Sequence, residues 1–127
     1  MSCMKLFISE HSNAAIYEQI EQQIKDAILR QELKAEEALP SIRGLAKDLQ
    51  ISVITTKRAY EELEEQGLIY SVPGRGFFVC SRKLEMLKEK KIQDIEKHMS
   101  ELIKECKSAE LSKQNMLDML DLLYEEE

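Results

Sequence analysis

Two short segments of the chain combine the residue types that contact nucleic acids. Residues 52–58 read SVITTKR, and residues 73–76 read PGRG. Cations bind phosphate oxygens or guanine, hydroxyl and backbone N–H groups bind phosphate, and glycine lets a backbone approach a groove closely. Arg43 adds a cation shortly before the first segment. These residue types and their spacing indicate contacts to DNA phosphates and base edges.

The sequence contains no pattern typical of catalysis or of a metal site. It has two histidines, and it lacks a nucleophile elbow, a Walker loop and a metalloprotease motif. Asp94 and His98 are four residues apart, but without a third ligand at a suitable spacing a solvated pair is favoured over a metal site. We therefore expect neither an enzyme nor a metal or other cofactor.

The cysteines and the apolar runs indicate the compartment. Cys3, Cys80 and Cys106 form no CxxC pair, and their odd number disfavours a disulfide framework, so reduced thiols in a cytosol are expected. For Cys80 and Cys106 packing is favoured, with oxidant sensing as the alternative. No apolar run approaches the ~20 residues of a membrane span, and residues 1–8 lack the pattern of a signal peptide. We therefore expect a cytoplasmic protein without a membrane partner.

Charge is distributed unevenly along the 127 residues. The net charge is −6 and 33% of the residues are charged, whereas Gly (4) and Pro (2) are scarce, a composition that favours solvated helices. Residues 40–60 nevertheless contain four Lys or Arg against one Asp, a local excess of +3, because the acidic surplus lies at 61–65 and 125–127. A local positive face attracts phosphate despite a negative total.

The first half of the chain predicts three helices. The first is expected from Asn13, as its N-cap, to about Gln31, with an isoleucine every fourth residue from 16 to 28. After a polar link, Ser41 is predicted to cap a helix over 42–49, and Ser52 one that runs to Gln66. The inward-facing residues of this pair are Ile42, Leu45, Ala46 and Leu49, and then Thr56, Ala59, Tyr60 and Leu63. Two helices joined by so short a turn form a helix-turn-helix.

A β-hairpin is predicted next. Gly67 is expected to end the third helix with a positive φ. Residues 68–72 (LIYSV) and 77–80 (FFVC) are rich in β-branched and aromatic residues, and they flank the glycine-containing turn at 73–76. A helix-turn-helix followed by a hairpin is a winged helix, so the fold class is mainly α with a small β-hairpin. We assign residues 10–80 to a winged-helix DNA-binding domain.

The last third of the chain predicts two more helices and a homodimer. The helical period returns from Arg82 to about Lys107, and Ser112 is expected to cap a final helix, with Leu111 and Met116 as a hydrophobic staple. Residues 82–127 are too few to enclose a core of their own, so we predict a helical hairpin whose apolar face pairs with a second copy. The predicted dimerisation residues are Leu84, Leu87, Ile92, Ile95, Met99, Leu102, Met116, Leu120 and Leu123.

The ordered motifs of residues 13–80 resemble the GntR family of bacterial transcription regulators. The matching motifs are IYEQI at 16–20, LPSIR at 39–43, LA at 45–46, AYEELEEQGLI at 59–69 and PGRGFFV at 73–79. Two helices stand where most of the family carries a large effector-binding domain, which is similar to the short YtrA-type branch. The resemblance implies a homodimeric repressor of its own or a neighbouring operon, often one that encodes an ABC transporter. Two helices leave no obvious cavity for a small-molecule effector.

Three positions depart from the family pattern. Val53 stands where the family usually has the Arg of Ser-Arg-x-Thr, Gly44 stands where Glu is usual, and residues 34–36 read KAE in place of Lys-Pro-Gly. Because that Arg often touches DNA, Val53 implies a different operator, with a thymine-methyl contact from Val53 or Ile54 as one option.

The resulting hypothesis places the N-terminal end of the third helix in the major groove. The predicted DNA-binding residues are Arg43, Ser52, Val53, Ile54, Thr55, Lys57, Arg58, Gly74 and Arg75. The acidic residues 61–65 are expected to face away from DNA. The alternative for Ser52 is a cap without a DNA contact, and for the cations it is solvation. For the whole protein, the alternative is a winged-helix interaction or assembly module, whose association with duplex DNA would be weak and insensitive to salt.

Overall fold

The computed structural model describes residues 5–80 and 84–126, in which there are five helices and one antiparallel two-stranded sheet. The elements are α1 (Ile16–Leu29), α2 (Ile42–Leu49), α3 (Val53–Glu65), β1 (Ile69–Val72), β2 (Gly76–Val79), α4 (Leu84–Ser108) and α5 (Lys113–Glu126). This order confirms the predicted fold class. The chain divides into two compact units, one that ends at Leu87 and one that begins at Lys88, so the division falls inside α4.

The start of α1 differs from the prediction. Its N-cap is Ala15, so the predicted cap at Asn13 is wrong. The carboxylate of Glu18 accepts a hydrogen bond from the Ala15 N–H at 3.2 Å, which is the bond that the third helical residue makes back to the N-cap in a capping box, whereas Ala15 has no side-chain acceptor for the N–H groups of the first turn. At the other end, Gln31 takes a left-handed φ of 62°, and α1 ends at Leu29.

The segment before α1 is held by two side-chain amides of that helix. Gln23 accepts the N–H of Phe7 at 3.0 Å and donates to its carbonyl at 2.7 Å. Gln19 does the same for Ser9, at 2.8 and 3.0 Å. The two glutamines are four residues apart and therefore project from one face of α1. They bind residues 7 and 9 as a neighbouring strand would, while the side chains of residues 6 and 8 pack against the core.

The helix-turn-helix forms with the predicted caps, and α3 ends at Glu65, one residue before the predicted end. α2 covers Ile42–Leu49, and the Ser41 hydroxyl accepts the N–H of Gly44 at 3.0 Å. In the turn, Gln50 adopts a left-handed φ of 57°. The Ser52 hydroxyl then accepts the N–H of Thr55 at 3.1 Å and begins α3. Both caps are thus confirmed, and each satisfies a free N–H of a first turn.

The core of the first unit lies between α1, α2, α3 and the hairpin. The predicted inward stripe of α3 is confirmed, because all four of its members are buried. The buried cluster contains Ile20, Ile24, Ala27, Ile28, Leu33, Leu39, Leu45, Ala59, Tyr60, Leu63, Leu68, Ile69 and Val79. Leu84 and Leu87, at the start of α4, are half-buried and pack against this cluster, a contact that the sequence did not indicate, while their part in a dimer stays a prediction. The predicted start of this helix at Arg82 lies outside the described residues.

A short extended segment that the sequence did not predict pairs with the second edge of β2. In the hairpin, Ile69 pairs with Val79 and Val72 with Gly76. On the other edge of β2, residues 36–39 run antiparallel: the N–H of Leu39 donates to Phe77 O at 2.9 Å, and the N–H of Val79 donates to Glu37 O at 2.9 Å. The sequence suggested only a polar link here, since so short an edge segment carries no alternating pattern.

The second unit consists of the rest of α4, a turn and α5. Glu110 turns the chain with a φ of 61°, and Ser112 caps α5 as predicted, because its hydroxyl accepts the N–H of Asn115 at 3.1 Å. The staple residues Leu111 and Met116 are both half-buried, and Cys106 is buried. The apolar side chains of this unit that are more than a third exposed are Ile92, Ile95, Met99, Leu102, Ile103, Leu117, Met119, Leu120, Leu122, Leu123 and Tyr124. An extensive apolar surface is therefore open to solvent.

Candidate nucleic-acid interface

The N-terminal end of α3 presents apolar side chains, because its hydroxyl groups bond within the cap. The Ser52 hydroxyl donates to Thr55 Oγ1 at 2.7 Å while it accepts the Thr55 N–H. The Thr56 hydroxyl is buried and donates to Ser52 O at 3.1 Å. Val53 and Ile54 are 46% and 80% exposed. Of the predicted contacts at this end, Ser52, Val53 and Ile54 are exposed and Thr55 is half-buried, and the hydroxyls of Ser52 and Thr55 are bonded to each other.

The cations near this end differ in their surroundings. Arg43 is exposed on α2, and no described residue forms a hydrogen bond or ion pair with it. Lys57 lies 3.9 Å from the carboxylate of Glu61, but both side chains are mostly exposed, so this pair is weak. Both Arg43 and Lys57 are accessible to a phosphate.

Arg58 packs against α1 instead. Its guanidinium carbon lies 3.8 Å from the centroid of the Tyr17 ring, and its Nη2 donates to the Tyr17 hydroxyl at 3.1 Å. The pair combines a cation–π contact with a hydrogen bond and links α3 to α1. Arg58 would have to leave Tyr17 to bind a phosphate. The sequence indicated the cation but not this partner, which lies 41 residues away.

The tip of the hairpin, the wing, is a tight turn with an exposed arginine. The N–H of Arg75 donates to Val72 O at 2.9 Å, and Gly74 has a φ of 79°, as the third residue of a type II turn requires. A Cβ added at Gly74 or Gly76 would meet no atom within 4 Å. Backbone conformation rather than crowding therefore calls for glycine, and the surroundings of Arg75 are open.

Aromatic residues fix the base of the wing to α3. The buried ring of Tyr60 meets Phe77 of β2 edge-on, with centroids 5.0 Å apart, and its hydroxyl donates to Pro40 O at 2.7 Å. Burial raises the pKa of Tyr60. On the outer face, Tyr70 stacks on Phe78 at 5.8 Å. The side chain of Tyr60 thus joins α3 to β2 and to the residue that precedes the cap of α2.

Acidic side chains at the far end of α3 support the fold. Glu64 accepts hydrogen bonds from the N–H and the hydroxyl of Ser71, at 3.3 and 3.0 Å. Glu21 of α1 accepts one from Gln66. Tyr70 donates its hydroxyl to Glu36, and this bond raises the pKa of Tyr70. Glu64 was predicted to face away from DNA; it is exposed, and the structure adds a contact to β1.

Comparison with known proteins identifies the family. The model for bacterial regulatory proteins of the gntR family matches residues 16–79, about half of the chain. The chain belongs to the GntR family. Within GntR proteins it is similar to the HTH-type transcriptional repressor YtrA of Bacillus subtilis, with 36% identity over 96 residues that cover 76% of this chain and 74% of that protein.

Two solved structures extend the GntR comparison. YtrA from Sulfolobus acidocaldarius, a GntR-family transcription factor, has a TM-score of 0.57 at 35% identity, over 71% of this chain and 96% of that one. AraR(DBD) in complex with operator ORX1 has a TM-score of 0.53 at 30% identity, over 59% of this chain and 93% of that one.

These findings confirm the predicted resemblance to a YtrA-like GntR regulator with a winged helix. The chain is a DNA-binding regulator, and its relatives are named as regulators rather than enzymes. Within the described ranges, no helix is long and apolar enough to cross a membrane.

Proposed function

We propose that this GntR regulator is a homodimeric repressor that binds a two-fold operator and controls its own or a neighbouring operon, of the transporter type, in the cytoplasm. The observation that carries the proposal is the exposed N-terminal end of α3 in a GntR winged helix, with accessible cations at Arg43, Lys57 and Arg75. The similarity to a named repressor, YtrA, supports repression.

In the proposed complex, α3 enters the major groove with its N-terminal end first. The backbone N–H groups there and the helix dipole favour a nearby phosphate. Arg43 and Lys57 contact phosphates or guanine, and Arg75 contacts a phosphate or enters the minor groove. Glu61 and Glu65 are exposed in the C-terminal half of α3, so the opposite orientation would bring carboxylates to the phosphates. Charge therefore favours this orientation.

The exposed apolar surface of α4 and α5 is the proposed dimer interface. A surface of this extent is unusual for a monomer in water, and burial against an identical surface removes it from water without a second protein. Two copies of α3 would then read two half-sites, whose separation the second unit sets.

Two charge deletions test DNA binding. Arg43→Ala and Arg75→Ala are each expected to weaken binding about thirtyfold or more, since a dimer loses two contacts of about 1 kcal/mol or more. The probe is a duplex that this protein enriches from a random pool, and affinity is measured by fluorescence anisotropy. Arg30→Ala is the matched control, because Arg30 is also exposed but lies at the end of α1. Unchanged affinity in both variants would refute the proposed interface.

Salt dependence separates DNA binding from the alternative interaction module. For the wild type, log affinity should fall steeply and linearly with log salt concentration, because bound cations release counterions from DNA. Weak association that does not change with salt would favour the interaction module.

The dimer has its own test. Leu120→Glu places a charge on the exposed apolar surface of α5 and is expected to shift sedimentation from a dimer to a monomer at micromolar concentration. Ser100→Glu, which adds the same carboxylate at an exposed polar position of α4, is the control and should remain dimeric. A monomeric wild type, or a dimeric Leu120→Glu variant, would contradict the proposal.

A further inference from the structure

The first two side chains of α3, Val53 and Ile54, are hydrocarbon. The N-cap Ser52 is also exposed, but its hydroxyl both donates and accepts within the cap. The hydroxyls of Ser52 and Thr55 bond to each other at 2.7 Å, and the Thr56 hydroxyl is buried. Val53 and Ile54, which are 46% and 80% exposed, are the side chains left to contact a base edge. They are the first two residues of α3, the part of a recognition helix that meets base edges.

Packing within the chain explains little of the apolar character of Ile54. Valine and isoleucine form helices less well than alanine, and Ile54, at 80% exposure, removes little hydrocarbon from water, whereas Val53, at 46%, is about half covered. Both are β-branched, so their side chains are stiff and present their methyl groups in a fixed direction. The apolar, β-branched side chains lower the helix propensity here without a matching gain in packing within the chain. This mismatch indicates that they contact a molecule outside the folded chain.

We infer that Val53 and Ile54 are specificity-determining residues that select thymine by its C5 methyl group, an inference that rests on the proposed function. In the major groove the thymine methyl is the apolar group, whereas the other base edges present hydrogen-bond donors and acceptors. A hydrocarbon side chain over cytosine N4 or adenine N6 would remove that amine from water without a partner. Each half-site of the operator therefore contains thymine opposite the start of α3.

The test removes the methyl and nothing else. In the duplex that the protein enriches from a random pool, each thymine of a half-site is replaced in turn by deoxyuridine, which keeps base pairing. At the contacted position we expect affinity to fall about three- to fourfold for one methyl and about tenfold for the symmetric pair, as expected when a methyl-sized group loses its burial. Deoxyuridine outside the half-sites is the control and should have no effect.

The variant Val53→Ala/Ile54→Ala assigns the effect to these side chains. It should bind thymine and deoxyuridine duplexes with equal affinity, and its thermal midpoint should stay close to that of the wild type, because the better helix formation of alanine offsets the burial lost at the half-covered Val53. Half-sites without thymine, no loss with deoxyuridine, or an undiminished loss in the variant would each overturn the inference while leaving DNA binding intact. Absence of salt-dependent binding to any enriched duplex would instead overturn the proposed function.

Discussion

The tyrosine that joins α3 to the wing provides a quantitative test of the fold. Tyr60 is fully buried, donates to Pro40 O at 2.7 Å and meets Phe77 edge-on at 5.0 Å. Tyr60→Phe removes the hydrogen bond and keeps the ring. We expect a loss of about 1–2 kcal/mol in the free energy of unfolding, because the bond disappears and the half-buried Pro40 carbonyl keeps no strong partner.

The ring contact is tested separately by a double-mutant cycle. Phe77→Leu should cost the same in the wild type and in Tyr60→Phe, since the phenylalanine ring preserves the edge-on pair. In a Tyr60→Leu background, Phe77→Leu should cost about 0.5–1.5 kcal/mol less, which is the usual coupling of an aromatic pair.

Urea denaturation followed by circular dichroism at fixed protein concentration measures each free energy. Tyr124→Phe is the matched control, because no described residue bonds to the Tyr124 hydroxyl and the ring is kept, so the same change there should stay within about 0.5 kcal/mol. A Tyr60→Phe variant as stable as the wild type would contradict the assigned role of the hydrogen bond. So would an equal loss of unfolding free energy in Tyr124→Phe and Tyr60→Phe.

Three further outcomes are expected. Burial raises the pKa of Tyr60 above 10.0, so the tyrosine of the unfolded chain loses its proton at a lower pH than that of the folded chain. Above pH 10, the free energy of unfolding of the wild type should therefore decline more steeply than that of Tyr60→Phe, by up to about 1.4 kcal/mol per pH unit, as measured by urea titration at several pH values. Arg58→Ala should leave the slope of log affinity for DNA against log salt concentration nearly unchanged, because Arg58 is bonded to Tyr17. Arg43→Ala should lower the size of that slope by about 2 for a dimer, and equal changes in the two variants would contradict this difference. Gly74→Ala should lower the thermal stability by about 1–2 kcal/mol, since alanine is strained at a φ of 79°; unchanged calorimetric stability would show that the turn adapts.

Local features of the fold were predictable from the sequence. Ser41 and Ser52 were predicted as caps, because an N-cap hydroxyl bonds within three residues of its own position. The stripe that ends at Leu63 followed from the helical period, and Gly67 was expected at the positive φ of 79° that the structure shows. Each of these depends on neighbours in the chain.

Features that depend on distant residues were not predictable. Arg58 and Tyr17 are 41 residues apart, and residues 36–39 pair with β2, which lies far along the chain. Leu84 and Leu87 continue the apolar stripe of α4, but periodicity does not specify which surface covers them, and in the structure it is the core of the first unit. In the candidate interface, the sequence indicated the cations, whereas the bonding of the hydroxyls within the cap had to come from the structure.

The amides of Gln19 and Gln23 bind residues 7 and 9 through main-chain atoms. Such an attachment does not depend on which side chains those two positions carry, and Phe7, at 75% exposure, is turned outward. Positions 7 and 9 can therefore accept a fluorophore or a cross-linker without loosening the segment. A label placed there would report on whatever approaches the start of α1, and the helix itself would serve as its rigid mount.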